Sequence, residues 1–254
     1  MGRVNLIAIV ASLLSIVAHP ARADELKLLT PGAVLSSLKE IVPAFEQASG
    51  HHVQVTLSPA LAVADRVKND EAFDIVITGK GSAEALQKLG KLSAGSVTVI
   101  SRVGVGVFVR RGDPKPDVST ADAFKRALLD AKVIVYSDPA LGGSASNYVH
   151  ELIAKLDTAG EIKPKIKLAV QYRSIANTVA AGGVDLALNQ VAEIVADARL
   201  ELVGPLPEPY QRYTNYAAGV IATSRSQNAS SQFIAFMATP EAAAIMRRRG
   251  FEPN

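Results

Sequence analysis

The stretch Val97–Arg110, VTVISRVGVGVFVR, decides how the chain is read. Its β-branched residues mark a strand, yet at fourteen residues it is more than twice the usual length of ~5–6. Gly104 and Gly106 allow it to bend. A second long strand pattern, Tyr213–Thr223 (YTNYAAGVIAT), follows much later. The segments before, between and after these two are short strands and amphipathic helices. Two long strands set among short ones predict two lobes, with the long strands crossing between them.

Before the first crossing, strand Glu25–Thr30 precedes a helix whose apolar face is Val34, Leu35, Leu38, Ile41, Val42 and Phe45, with Gly50 as its stop. Strand Val53–Ser58, helix Leu61–Asn69, strand Asp74–Gly79 and helix Ser82–Leu89 follow. Beyond Pro114 and Pro116 a second series begins with helix Ala121–Ala131, strand Val133–Ser137 and helix Ser144–Leu156. Strand Ile166–Val170, helix Ser174–Ala181, strand Asp185–Asn189 and helix Val191–Ala198 complete it. A Pro-rich link, Gly204–Pro209, leads to the second crossing, and two helices end the chain, the last with Thr239 as N-cap, Pro240 at N1 and Gly250 at C′. Strands alternating with helices predict parallel α/β sheets covered on both faces. The domain reading is residues 24–104 plus 216–254 for lobe 1 and 105–215 for lobe 2, against the alternative of one large doubly wound domain.

Residues 1–23 read as an export signal: Arg3, the apolar run LIAIVASLLSIVA over Leu6–Ala18, a break at His19-Pro20, and the small-x-small end Ala21-Arg22-Ala23. Thirteen apolar residues fall short of the ~20 that span a bilayer, and no other stretch is long enough to anchor the chain. Cleavage would leave a chain starting at Asp24 and lying in the periplasm. The full sequence carries 27 basic and 24 acidic side chains. Arg3 and Arg22 leave with the signal, so 25 face 24, and the mature chain is close to neutral. That balance and 5% aromatic content argue against a nucleic-acid surface. The absence of cysteine excludes disulfides, thiolate metal sites and thiol catalysis. The chain is read as a monomer.

Ligand crevices of open α/β sheets lie beyond the carboxyl ends of the strands. Here those ends carry Thr30-Pro31-Gly32-Ala33, Ser58-Pro59-Ala60, Thr78-Gly79, Ser137-Asp138, Gly142-Gly143-Ser144, Tyr172-Arg173-Ser174 and Asn189-Gln190. Nearly all stand just before a helix, where free N–H groups favour an anion, although Ser, Thr or Gly at such a place is equally an ordinary cap. Arg102 and Arg173 are the cationic candidates for a bidentate grip on a carboxylate, with surface ion pairing as the alternative. Gln190 offers an amide. The candidate binding residues are thus Thr30, Gly32, Ala33, Ser58, Thr78, Arg102, Gly143, Ser144, Tyr172, Arg173, Ser174 and Gln190.

Catalytic motifs are incomplete. Gly142-Gly143-Ser144-Ala145-Ser146 lacks the final glycine of a nucleophile elbow. No phosphate-binding or dinucleotide-binding glycine pattern is present. His51-His52 have no third ligand at metal-site spacing, so neither a metal nor a cofactor is expected. His150 lies in a helix beside Glu151, where a surface position competes with a role as base.

Leu28–Phe45 (LLTPGAVLSSLKEIVPAF), Phe73–Thr78 (FDIVIT), Val133–Pro139 (VIVYSDP) and Thr239–Phe251 (TPEAAAIMRRRGF), in this order and spacing, resemble the periplasmic molybdate-binding family of ABC-importer solute-binding proteins. The resemblance implies a type II two-lobed fold with a hinge, a small anion held between helix N-termini, and an ABC permease as partner. The family's molybdate donors do not all carry over. Its A-A-x-S-L turn is Thr30-Pro31-Gly32-Ala33-Val34 here, its Ser-rich second turn is Ser58-Pro59-Ala60-Leu61, and the Tyr expected after Asp185 falls at Leu188 or Asn189. The anion expected is therefore a small di- or tricarboxylate rather than molybdate. The resemblance also reaches proteins of this scaffold that act as cofactor-independent aconitate isomerases. That chemistry would need a base to move an allylic proton, with His150, Glu193 and Asp138 as nominees.

Overall fold

A computed structural model describes residues 23–170 and 174–252. The expected export signal falls, except for Ala23, outside the described residues, as do Tyr172 and Arg173. The first half contains β1 (Glu25–Thr30), α1 (Leu35–Ser49) entered through a 3-10 turn at Gly32–Val34, β2 (His52–Leu57), α2 (Ala60–Lys68), β3 (Ile75–Gly79) and α3 (Lys80–Lys88). The long strand β4 (Thr98–Arg110) leads into α4 (Ala121–Asp130), β5 (Ile134–Ser137), α5 (Ser144–Leu156), β6 (Ile166–Ala169), α6 (Ser174–Ala180), β7 (Leu186–Gln190), α7 (Val191–Ile194) and β8 (Leu200–Pro205). Then come β9 (Tyr213–Val220), α8 (Gln227–Met237) and α9 (Pro240–Arg248).

The strand order is β2-β1-β3-β9-β4-β7-β5-β6, with β8 also paired to β4. β1, β2 and β3 are mutually parallel, as are β5, β6 and β7. β4 and β9 run antiparallel to their neighbours. The expectation of purely parallel sheets therefore holds at the flanks and fails in the middle, where the crossing strands run against both sets.

β4 changes partner in mid-course: Thr98–Gly104 pair with β9, and Val105–Phe108 pair with β7. The glycines at this point are needed for close approach. A Cβ on Gly104 would lie 3.1 Å from the Gln211 amide nitrogen, and one on Gly106 would lie 3.0 Å from side-chain atoms of Leu202 and Val191. Gln211 supplies what the changing ladder does not: its Oε1 accepts from Val105 N–H at 3.0 Å and its Nε2 donates to Val105 C=O at 3.1 Å. A buried backbone group needs such a partner.

Four apolar clusters hold the layers. In the half containing β1, one face packs Leu26, Leu28, Ile75 and Ile77 against Phe45, Phe233 and Met246. The opposite face packs Leu29 and Val76 against Val63, Val67 and Leu86. The half containing β5 repeats the arrangement, with Ile134 and Tyr136 against Phe124, Val149 and Ile153 on one face. On its other face Val135 and Ala187 lie against Ile175 and Val179. The alternation of buried side chains along each strand feeds both clusters.

Two expectations are corrected near residue 200. The helix read over Val191–Ala198 stops at Ile194, because Asp197 turns the chain by accepting from the Arg199 N–H at 3.0 Å. Leu200–Pro205 then forms β8, a strand absent from the sequence reading, which runs antiparallel to β4 and takes in the first two residues of the Gly204–Pro209 link.

Candidate ligand site between the two halves

A cavity of about 300 Å³ opens where the carboxyl ends of β1, β2, β5 and β7 face one another. Pro31, Gly32, Ala33, Ser58, Pro59 and Ala60 line it from the first half; Gly143, Ser144, Asn189, Gln190 and Glu193 line it from the second. Leu57, Leu141, Ala145 and Ile175 make much of the remaining wall apolar, and Tyr216 of β9 closes it. A roomier hollow of about 570 Å³ lies beside the 113–117 strap and α4. Three of its four lining aspartates have partners: Asp113 pairs with Arg110, Asp117 accepts from Ser119, and Asp185 accepts from the N–H groups of Lys132 and Val133, with Asp130 the fourth. It also lies away from the strand ends, so the smaller cavity is the candidate site.

Among the described residues, the turn leading into α1 and the helices α2 and α5 bring to this cavity N-termini that are not closed by a side chain of their own. The N-caps are Pro31 for the turn leading into α1, Pro59 for α2 and Gly143 for α5, with no side-chain cap bond at any of them. Proline and glycine have no side-chain oxygen with which to cap. By contrast, α4 and α9 are capped by Thr120, which accepts from Ala123 N–H at 3.1 Å, and by Thr239, which accepts from Ala242 N–H at 3.3 Å. First-turn N–H groups left open at a cavity are donors for an anion, and the helix dipoles favour negative charge there.

Side-chain hydrogen bonds tie α5 and β7 to the crossing strand β9 beside the cavity. The Ser144 hydroxyl lies 3.0 Å from the Thr214 hydroxyl, Gln190 Nε2 donates to Thr214 Oγ1 at 3.0 Å, and the Tyr216 hydroxyl donates to Gln190 Oε1 at 3.1 Å. Across the rim, Leu61 of α2 lies over Gly142, so close that a Cβ there would sit 2.3 Å from its Cγ and Cδ1.

Glu193 is the acidic residue of the cavity lining. As the third residue of α7, behind the N-cap Gln190, it stands where a glutamate commonly reaches back to the N-cap N–H. Here Asn189 Oδ1 takes that N–H at 2.8 Å, which leaves Asn189 Nδ2 to donate to Glu193 Oε2 at 3.0 Å. Desolvation by the concave wall raises the Glu193 carboxyl above its ordinary value, and the Asn189 bond opposes this in part. Water in the cavity reaches the side chain, but a carboxylate ringed by protein is solvated far less than one on an open surface.

Of the residues expected from sequence, Gly32, Ala33, Ser58, Gly143, Ser144, Gln190 and Glu193 meet at this cavity. Thr30 is buried just behind, its hydroxyl donating to Pro31 C=O at 3.2 Å. Thr78 is buried in β3 opposite Ala217, outside the lining. Arg102 is elsewhere, with its guanidinium 2.6 Å from Glu252 and 4.4 Å from the Tyr213 ring centre. Asp138 caps a 3-10 turn by accepting from Ala140 N–H, and His150 bonds the Tyr136 hydroxyl at 2.9 Å; neither lines the cavity. Ser174 opens α6, whose Ile175 reaches the wall. Sequence reasoning missed Tyr216, Thr214 and the apolar wall. The alternation of β9 was the available signal, since Thr214 and Tyr216 fall on one face of a strand already read as crossing.

The family pattern of bacterial extracellular solute-binding proteins matches residues 26–252. An aconitate isomerase from a Pseudomonas species is 26% identical over 233 residues, 90% of this chain and 87% of that protein. The periplasmic molybdate-binding protein of Azotobacter vinelandii shares the fold, with a TM-score of 0.71 and 21% identity over 89% of this chain and 98% of its own. The sulfate-binding protein SubI of Mycobacterium tuberculosis H37Rv superposes with a TM-score of 0.70 and 18% identity, covering 91% of this chain and 87% of its own.

Proposed function

The chain belongs to the bacterial extracellular solute-binding protein family and has the two-lobed type II fold, and on that premise we propose that it captures a small organic di- or tricarboxylate between its halves. The carrying observation is the cavity's composition. Uncapped N-termini behind Pro31, Pro59 and Gly143 supply donors for carboxylates, while Leu57, Leu141, Ile175 and the alanines give a carbon skeleton its contact surface. A five-atom inorganic oxyanion needs donors on every side and fills little of about 300 Å³, the volume of about ten liquid waters at ~30 Å³ each. A six-carbon acid fits both counts. The domains are residues 24–104 plus 216–254 and 105–215. The protein works in the periplasm after cleavage of residues 1–23, as a monomer delivering its ligand to an ABC permease.

Thermal-shift and calorimetric titration with trans-aconitate, citrate, sulfate and molybdate test the ligand class. The organic acids are expected to give the larger stabilisation, by mass action on the folded state. Molybdate or sulfate giving the largest shift overturns the reading.

A second reading, cofactor-independent isomerisation of aconitate, is favoured by one specific observation: Glu193 places a proton-accepting carboxyl against the cavity, in a chain 26% identical to an aconitate isomerase. Such a carboxyl, with its affinity for protons raised, suits transfer of an allylic proton. Chromatography of trans-aconitate incubated with the protein decides this, since binding without appearance of the cis isomer removes the isomerase.

A further inference from the structure

We propose that Glu193 takes part in ligand recognition as the neutral acid, donating a hydrogen bond from its protonated carboxyl to a ligand carboxylate, so that each anion is bound together with one proton. The inference rests on the reading of the cavity as an organic-anion site and adds how that site tolerates an acidic residue in its wall.

Three observations converge on it. Glu193 is freed from the helix-capping role its position would give it, because Asn189 Oδ1 already accepts the Gln190 N–H. That same bond fixes the orientation of the Asn189 amide, so Nδ2 donates to Oε2 of Glu193 and the acidic proton belongs on Oε1. Oε1 has no hydrogen-bond partner among the described residues. Finally, no Lys, Arg or His is among the described residues lining the cavity. An ionised Glu193 would then face the ligand's own charge across the cavity with no described cation between them, and like charges at that range repel. A neutral acid converts that repulsion into a hydrogen bond to a charged acceptor.

Among the described residues, the surroundings supply no counter-charge that would hold Glu193 ionised. On the turn Gly32–Val34 and on β7 there is no charged residue. The Tyr216 phenol is committed to Gln190. On β4, Arg102 is paired with Glu252 and Arg110 with Asp113; on β8, Glu201 is paired with Lys115. Near Gly250, which approaches Val191, Arg248 and Arg249 are held by Glu40. Desolvation accordingly raises the Glu193 carboxyl, with no opposing ion pair among the described residues. Arg173 lies outside the described residues and therefore enters the test as its own variant.

The test is isothermal titration of trans-aconitate into the mature protein from pH 6.5 to 9, in pairs of buffers with different ionisation enthalpies. The wild type is expected to take up close to one proton per ligand above the Glu193 pKa, with affinity falling toward tenfold per pH unit. Glu193→Gln, an isostere of the neutral acid, is expected to bind without proton uptake and without that slope. Arg173→Ala is expected to weaken binding while keeping the slope. Binding by the wild type with no proton uptake and no pH dependence overturns the proposal alone, as does an unchanged slope in Glu193→Gln. Transfer of the slope to Arg173→Ala, with Glu193→Gln unaffected, overturns it too. No binding of trans-aconitate or citrate at any pH overturns the organic-anion reading and this proposal with it.

Discussion

Gly142 shows how much one position decides. It sits at φ +75°, where only glycine is comfortable, and its missing Cβ is what lets Leu61 of the opposite half lie over it. Gly142→Ala should lower stability by about 1–2 kcal/mol through the backbone alone and also hold the rim apart. Adding Leu61→Ala should recover ligand affinity but not the melting temperature, since only the contact is relieved. Calorimetric titration together with thermal denaturation of the single and double variants checks that separation. Glu193 makes a different prediction, set by linkage. Its pKa is raised in the folded protein, so at pH values above the ordinary carboxylate range of ~4.3 the unfolded chain has released a proton that the folded chain still holds. Stability is therefore lost as pH rises from the unfolded value to the folded one. Without ligand, Glu193→Gln should melt higher than the wild type at pH 8, and the gap should close below pH ~4.

At the scale of the element, the helices divide by how they begin. Thr120→Ala and Thr239→Ala each remove a side-chain cap and should cost about 1 kcal/mol. Ligand affinity should stay unchanged, because α4 and α9 start away from the cavity; chemical denaturation and titration of each variant test both halves of the statement. This division was only partly legible in the sequence. Thr239-Pro240 announced the start of α9 because the cap bond is local. Thr30-Pro31 and Ser58-Pro59 looked like the same kind of signal, yet the cap is the proline and the preceding hydroxyl still belongs to the strand end. Which of two adjacent residues becomes the cap depends on where the strand ladder ends, a tertiary matter. For the same reason α7 was read too long: Ala196 and Ala198 favour a helix, and the Asp197 turn that feeds β8 beside β4 outweighs that preference. The periodic strands and helices of both halves were readable because burial on each sheet face imposes the pattern directly. Arg102 and Thr78 could not be placed, since the strand register decides which way they point.

At the scale of the whole molecule, the proposed capture of a ligand requires two halves that can move although they share strands. β4 passes from one half-sheet to the other at Gly104–Val105, and Gln211 clamps the backbone at that junction. The chain bends most easily where its ladder changes partner, so hinge motion is expected at this junction. At the rim the Tyr216–Gln190 hydrogen bond and Leu61 over Gly142 join the two halves, and Thr214 and Ser144 extend the Gln190 network. Hinge and latch should respond differently to mutation. Gln211→Ala leaves the buried Val105 N–H without its side-chain partner and should lower stability by about 1–3 kcal/mol. Tyr216→Phe removes the buried hydrogen bond to Gln190 Oε1, worth about 1 kcal/mol, and should lower the melting temperature by a few degrees and also weaken ligand binding several-fold, an effect not expected of Gln211→Ala. Small-angle scattering with and without trans-aconitate adds the geometric readout. The wild type should contract on binding, and Tyr216→Phe should need more ligand to reach the same contracted state. Contraction at the wild-type ligand concentration in Tyr216→Phe would mean that the apolar rim alone holds the halves closed.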